Sequence, residues 1–277
     1  MTSERRGPAV VIVGAGVAGL AAAAELAPRA RVTVLDRLSA VGGVLGSDHR
    51  LVRALEREAT AAGATLTLGT TGARWEDGRL LAAGPDGIRR VAADLLVYAG
   101  GTRPATLAEG PVFGSRLAGV LPAPVAERLL DAEVLLGRRV VVAGGGHWAR
   151  VVLERLARQP CAVTFVAEDP RVAAGGAPGA PELIIGWRLS AVNGRARIGE
   201  AVLERGGRRM HVACDALVLA GGERPLRNVD GAVFDPAPGV AYIQPHGPGI
   251  DAAEVLACAR SVAAGITLSA GGAAPAP

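Results

Sequence analysis

The chain has 277 residues, half of them hydrophobic, which is enough for one large core or two modest ones, and this length leans towards two domains. All 30 basic residues are Arg, so Schiff-base chemistry, PLP attachment and a P-loop lysine are excluded. The net charge of +4 comes from arginines scattered among Asp and Glu, and with only 3% aromatic residues there are no stacking platforms, which argues against a nucleic-acid partner.

Arg5 and Arg6 precede an uncharged stretch, Gly7 to Ala24, that has the outline of a secretory signal or a short membrane span. Its periodicity points elsewhere. The segment "AVVIVGAGVAGLAAAAELA" reads as a strand, a glycine turn and a helix, and it runs on into a second apolar strand, "RVTVLD", that ends at Asp36. Neither a cleaved leader nor a membrane span is expected.

In this loop Gly14 permits the tight turn, Gly16 lets backbone N–H groups approach a phosphate, and Gly19 lets the helix lie close to the strand. A pyrophosphate then sits on the helix N-terminus, beside Ala18. Asp36 follows Gly14 by 22 residues (36 − 14) and is placed to accept hydrogen bonds from both ribose hydroxyls of an adenosine, with Arg37 next to it. Strand, loop, helix, strand and acid in register make a dinucleotide site.

A Gly42–Gly43 pair comes next, and then His49 at a helix start, either a cap or a group facing a bound ring. Gly-broken alternating segments, "ATLTLGTTGARWEDGRLLAAG", read as a small meander. It leads into a buried strand within "DLLVYAGGTRP", Asp94 to Pro104, which contains Gly100.

The whole pattern then recurs. "VVVAGGGHWARVVLERL" is a second strand, glycine loop and helix, and "DALVLAGGERP", Asp215 to Pro225, repeats eight of the eleven residues of the earlier segment. The two glycine loops are 130 residues apart (144 − 14) and the two repeated segments 121 (215 − 94). Arg103 and Arg224, in the repeated turns, are read as bonding local carbonyls, and His211 as structural.

The expected fold is α/β, with two Rossmann-like dinucleotide-binding domains, the second inserted into the first. Residues 1–114 and 226–277 form the first domain and 115–225 the second. In the C-terminal part, "GVAYIQPHGPGIDAAEVLACARSVAAGI" reads as a strand, a turn and a helix completing the first sheet. "AAGGAPGAP", Ala173 to Pro181, reads as a surface loop, and the final "SAGGAAPAP" as a tail.

In the second loop Gly144, Gly146 and Ala149 keep the GxGxxA form, but His147 and Trp148 stand where small residues are usual. Counting Asp36's offset from Gly144 ends one residue short of Ala167, and the nearest acid is Glu168, whose reach to a ribose is in question because successive strand residues face opposite ways. This loop is either an NAD site, an altered nucleotide site or a retained structural turn. Trp148 is read as packing.

Cys161, Cys214 and Cys258 are far apart, without CxxC or metal-ligand spacing, so a disulfide framework, a dithiol centre, a metal site and an iron–sulfur site in this chain are not expected. Three buried thiols fit a cytoplasmic protein.

The Gly42–Gly43 pair after Asp36, together with the "LVYAGG" and "LVLAGG" strands, resembles the two-dinucleotide-domain flavoproteins of the glutathione-reductase-like superfamily. The resemblance implies FAD in the first module and a nicotinamide-type fold in the inserted one, with NAD(H) or another adenine nucleotide there. The stretch "GRRVVVAGGGHWARVVLERLA" and the lack of a redox Cys pair further resemble the FAD-containing subunits of heteromeric amine and amino-acid dehydrogenases, the group that includes the flavin-binding component of hydrogen cyanide synthase, opine oxidase, hydroxyproline dehydrogenase and the alpha chain of sarcosine oxidase. That likeness implies an electron-transfer subunit, a small amine or amino-acid substrate, and partners: a second oxidoreductase subunit and, if an iron–sulfur centre is used, a separate protein that carries it.

One departure falls before the last helix, where the superfamily has Gly-Asp and this chain has Pro245 and His246; His246 is a turn residue or a flavin contact, and Gly247 still allows close backbone approach. Two other functions fit the same sequence: a self-contained NAD(P)H-dependent flavin reductase, and a scaffold subunit that has lost one or both cofactors.

Overall fold

A computed structural model of the chain describes residues 7–110, 112–114, 117–173, 181–226, 239–243 and 252–268. The expected features at Ala173–Pro181, at Pro245, His246 and Gly247, and in the C-terminal tail lie largely or wholly outside these residues. The chain forms two compact α/β units, the second inserted into the first.

The first unit begins with β1 (Ala9–Val13), α1 (Val17–Leu26), β2 (Arg31–Leu35), α2 (Arg50–Ala61) and β3 (Thr65–Thr67), followed by a meander of β4 (Thr71–Glu76), β5 (Arg79–Gly84) and β6 (Gly87–Ala92), and then by β7 (Leu95–Tyr98). β1 and β7 are nearly continuous apolar runs because parallel strands in the middle of a sheet are covered on both faces. Side chains alternate between those faces: Val10, Ile12, Val32 and Val34 pack under the helices, while Val11, Leu35 and Leu96 pack against Leu80 and Ala82 of the meander. α1 is buried on nearly every side, in keeping with its almost wholly Ala/Leu/Val/Gly sequence; α2 buries only the stripe Val52, Leu55 and Ala59.

The chain leaves this unit through β8 (Thr102–Arg103). The second unit comprises β9 (Val120–Pro122), α3 (Ala123–Asp131), β10 (Arg139–Gly144), α4 (Gly146–Leu156), β11 (Ala162–Ala167), α5 (Pro170–Ala173) and β12 (Glu182–Ile185), a meander of β13 (Arg188–Gly194), β14 (Ile198–Arg205) and β15 (Arg208–Ala213), and β16 (Ala216–Ala220). The chain returns through β17 (Arg224–Pro225). The chain then supplies β18 (Val240–Tyr242) and α6 (Ala252–Gly265) to the first unit.

The sheet orders are β18-β7-β1-β2-β3 and β12-β11-β10-β16-β9, the same arrangement twice. What differs is the source of the fifth strand. In the first unit β18 and its helix α6 come after the central strands in sequence, whereas in the second β9 and α3 come before them. No helix among the described residues is long and apolar enough to cross a membrane.

The units divide at Thr102/Arg103 rather than after residue 114, the boundary expected from the sequence. The physical reason is the Phe113 segment. Its N–H donates to the Ser190 carbonyl at 2.8 Å and its carbonyl accepts from Val192 N–H at 2.9 Å, which attaches it to the second unit's meander.

The repeated Asp has a structural duty in both copies. Asp94 Oδ2 accepts from Ala9 N–H at 2.8 Å, and Asp215 Oδ2 accepts from the N–H groups of Arg138 and Arg139 at 3.0 Å each, so the carboxylates pin the starts of the equivalent strands β1 and β10. The Arg139 guanidinium, with those two N–H groups, holds the Asp215 carboxyl below the ordinary carboxylate range. A depressed folded-state value adds stability above the unfolded value and loses it as pH falls through the folded one. Wild type is therefore expected to resist urea better than Asp215→Asn at pH 7, with the gap closing as pH drops below about 4; unfolding midpoints of both proteins across that range check it.

Candidate functional site

At the carboxyl end of β1, Gly14 turns the chain with φ 108°. A Cβ there would lie 2.8 Å from the Ala99 carbonyl carbon, so only glycine lets β1 end this close to the residue after β7. Gly19 is as constrained: a Cβ on it would come within 2.9 Å of the Gly14 carbonyl carbon, which is how α1 presses onto the loop.

Gly16 is different. It is the N-cap of α1, in extended conformation, and a Cβ on it would meet nothing within 4 Å. No side chain caps α1 and its first turn has no acid, so the positive end of the helix is uncapped, with open space over Gly16. Ala18 itself is buried in the core, so only its backbone is available to a ligand.

The Gly42–Gly43 turn lies against this loop. Gly42 N–H donates to the Ala15 carbonyl at 2.8 Å, and a Cβ on Gly43 would come within 3.6 Å of Gly16 Cα. Both glycines have positive φ. The pair thus forms a wall beside the first loop.

Asp36 lies just past β2 and is 8% exposed. Oδ2 accepts from Ala15 N–H at 2.7 Å and Oδ1 from Leu38 N–H at 2.8 Å. A carboxylate has about four acceptor positions. Two remain after these bonds, enough for a pair of vicinal hydroxyls. Arg37 is exposed beside it.

Gly100 follows β7 at the same end of the sheet, where a Cβ would come within 2.9 Å of the Tyr98 ring. Tyr98 donates its hydroxyl to the Leu226 carbonyl and lies 6.1 Å, centroid to centroid, from the tilted ring of Tyr242. Burial pushes the Tyr98 phenol above its usual range, partly opposed by the charge of Arg37. Sequence reasoning misses this aromatic pair; the available signal is the Tyr-x-Gly spacing in "VYAGG", which has no counterpart in "VLAGG".

His49 caps α2: its Nδ1 accepts from Leu51 N–H at 3.2 Å. Arg103 donates to the Pro104 carbonyl and in a two-pronged contact to Glu109 at 2.7 Å, and Arg224 is exposed. His211 Nδ1 pairs with Glu200 at 2.8 Å on the second meander. Of the three thiols, all free, only Cys214 is fully buried; Cys161 and Cys258 are half-buried. Burial pushes the Cys214 thiol up to about 11 and raises that of Cys161, so neither is poised as a thiolate.

In the second unit Gly144 repeats the close approach of Gly14, since a Cβ on it would come within 2.7 Å of Gly221 Cα. From there the two loops diverge. α4 is capped at Gly145, one residue earlier than the Gly16 counterpart, and Gly146 at φ 70° falls inside the helix. Trp148 is 7% exposed in the core with Ala149, its ring edge-on to His147 at 5.8 Å, so it packs rather than presents a face.

Residues 12–75 match the family model of the NAD(P)-binding Rossmann-like domain. No protein of curated function matches the chain. Among solved structures it is similar to the 6-hydroxypseudooxynicotine amine oxidase of Pseudomonas geniculata N1, with 23% identity over 94% of this chain and 42% of that one and a TM-score of 0.66. It is also similar to the L-proline dehydrogenase of P. horikoshii (17% identity, 93% and 54% covered, TM-score 0.60) and to the thioredoxin reductase of Lactococcus lactis (16%, 92% and 96%, TM-score 0.62). The chain spans about half the length of the first two. At these identities the likeness is one of fold.

The two glycines of the first loop make separable demands. Gly19→Ala is expected to lower unfolding stability by about 1–3 kcal/mol through overpacking, whereas Gly16→Ala stays within about 0.5 kcal/mol of wild type because its side chain would point into open space. Urea unfolding of the two variants distinguishes them.

Proposed function

We propose that the chain is an FAD-dependent oxidoreductase that holds the adenosine and diphosphate half of the flavin nucleotide in its first unit. The observation that carries this reading is the conjunction at one sheet end of an uncapped helix with open space over Gly16, a buried carboxylate with unused acceptor positions at Asp36, and the Gly42–Gly43 wall. The bare N–H groups of α1 bind the diphosphate, since a helix N-terminus favours negative charge. Asp36 receives the ribose hydroxyls, and Gly43, beside Gly16, adds no side chain next to the diphosphate. FAD, when bound, supplies a two-electron acceptor for a hydride from the carbon next to an amine nitrogen.

We further propose that the substrate class is an amine or amino acid and that the chain is the electron-transfer subunit of a heteromeric dehydrogenase or oxidase. Similarity to an amine oxidase and a proline dehydrogenase supports this, as does the sequence likeness around "VVVAGGGHWARVVLERLA". In this reading a second oxidoreductase subunit supplies the substrate-binding surface, and any iron–sulfur centre belongs to a separate protein. The widely spaced thiols, with Cys161 and Cys214 raised by burial, fit electron transfer better than disulfide reduction.

Purified protein supplied with FAD is expected to retain it through gel filtration with a flavin absorbance spectrum. Asp36→Asn, which keeps the side chain's size and loses its charge, should weaken FAD binding about 10- to 100-fold, the worth of one or two charge-assisted hydrogen bonds. A spectrum free of flavin, with or without a partner subunit, contradicts the proposal.

A further inference from the structure

Strand pairing, rather than residue counting, identifies the second unit's counterpart of Asp36. In the first unit Val13 pairs with Leu35, so the next step sets Gly14 opposite Asp36. In the second Ala143 pairs with Val166, so the next step sets Gly144 opposite Ala167. The connection is one residue longer in the second unit, 166 − 143 = 23 against 35 − 13 = 22, which is why an offset carried over from Asp36 stops short. Ala167 shares the helix-side core with Phe165, as expected for alternate residues of one strand, and is 1% exposed.

The backbone around this position has changed with it. The loop amide that gives its hydrogen to the acid in the first unit, Ala15 N–H, corresponds to Gly145 N–H, which turns to the Ala220 carbonyl at 3.4 Å. The carboxylates nearest Ala167 in sequence do not replace the missing one. Glu168 is exposed on the next residue of the chain, and Asp169 is held by Arg171, which donates to it through its backbone N–H at 2.9 Å and its Nη2 at 2.7 Å. A 2′-phosphate fares no better, because the residue next to Ala167 is the acid Glu168 and the guanidinium of Arg171 is already engaged by Asp169.

We infer that Ala167 closes the second glycine loop to nicotinamide dinucleotides: the pyrophosphate turn survives at Gly144, but among the described residues the strand end offers an alanine where the first unit has the carboxylate for the adenosine ribose. The nicotinamide cofactor expected from the fold of this unit therefore does not fit the residues present. Together with the proposed function, on which this consequence rests, it means that reducing equivalents reach the flavin from a donor other than NADH or NADPH.

The test is calorimetric titration of the full chain, saturated with FAD so that the first loop is filled, with NADH, NADPH and ADP-ribose. No saturable binding below about millimolar concentration is expected for wild type, and Ala167→Asp should bind ADP-ribose and NADH at least 10-fold more tightly. Micromolar binding of NADH or NADPH by wild type, or a folded Ala167→Asp with no gain, overturns the inference. Should Ala167→Asp fail to fold, the wild-type titration decides alone: tight binding overturns, absence supports. The flavin spectrum recorded beforehand shows separately whether FAD is bound, so failure of the first-unit reading is not mistaken for failure of this one.

Discussion

The bond from Ala15 N–H to the Asp36 carboxylate, 2.7 Å long and buried, is the constraint on which the first site depends. A carboxyl group at 8% exposure needs hydrogen-bond partners around it. Here they come from the glycine loop on one side and from Leu38 on the other, so the acid fastens the loop to the end of β2. That bond holds Ala15, the residue before the N-cap of α1, at the end of the parallel strands β1, β2 and β7. Geometry and charge preference arise from the same bond.

The second unit is a natural control. Its sheet order matches, its β10 is pinned by Asp215 as β1 is by Asp94, and Gly144 keeps the close approach of Gly14. What it lacks is the carboxylate, and with Ala167 in that place the loop amide has a different acceptor and the helix starts one residue sooner. A parallel sheet with buried strands tolerates this exchange well, since alanine fills the helix-side core that the acid only borders. The architecture is held by the apolar runs and the pinning aspartates. The two strand ends differ at one residue, Asp36 in the first unit and Ala167 in the second.

The glycine loop, Asp36 and the duplication are legible in sequence because each depends on local spacing: period-two apolar runs, fixed glycine positions and an eight-in-eleven repeat. Ala167 is not, because a single extra residue between β10 and β11 is invisible to an offset count, and only the hydrogen-bonded register resolves it. The boundary expected near residue 114 is misplaced for a similar reason. Residues 103–114 have no periodicity of their own and join the second unit through Phe113, whose partners Ser190 and Val192 are nearly eighty residues away. Tyr98 reads as one more core residue in an apolar strand, and its place over Gly100 beside Tyr242 depends on a strand from the far end of the chain. His49 is open between two roles in sequence, and the α2 N-cap geometry puts it in the structural one.

The most direct measurement of the central claim is a crystal structure of the chain grown with FAD. The account predicts the adenosine ribose hydroxyls within hydrogen-bond distance of the Asp36 oxygens and the diphosphate over Gly16, against the N–H groups of Val17 and Ala18. A cleft closed by side chains, or a flavin nucleotide bound away from Asp36, would contradict it.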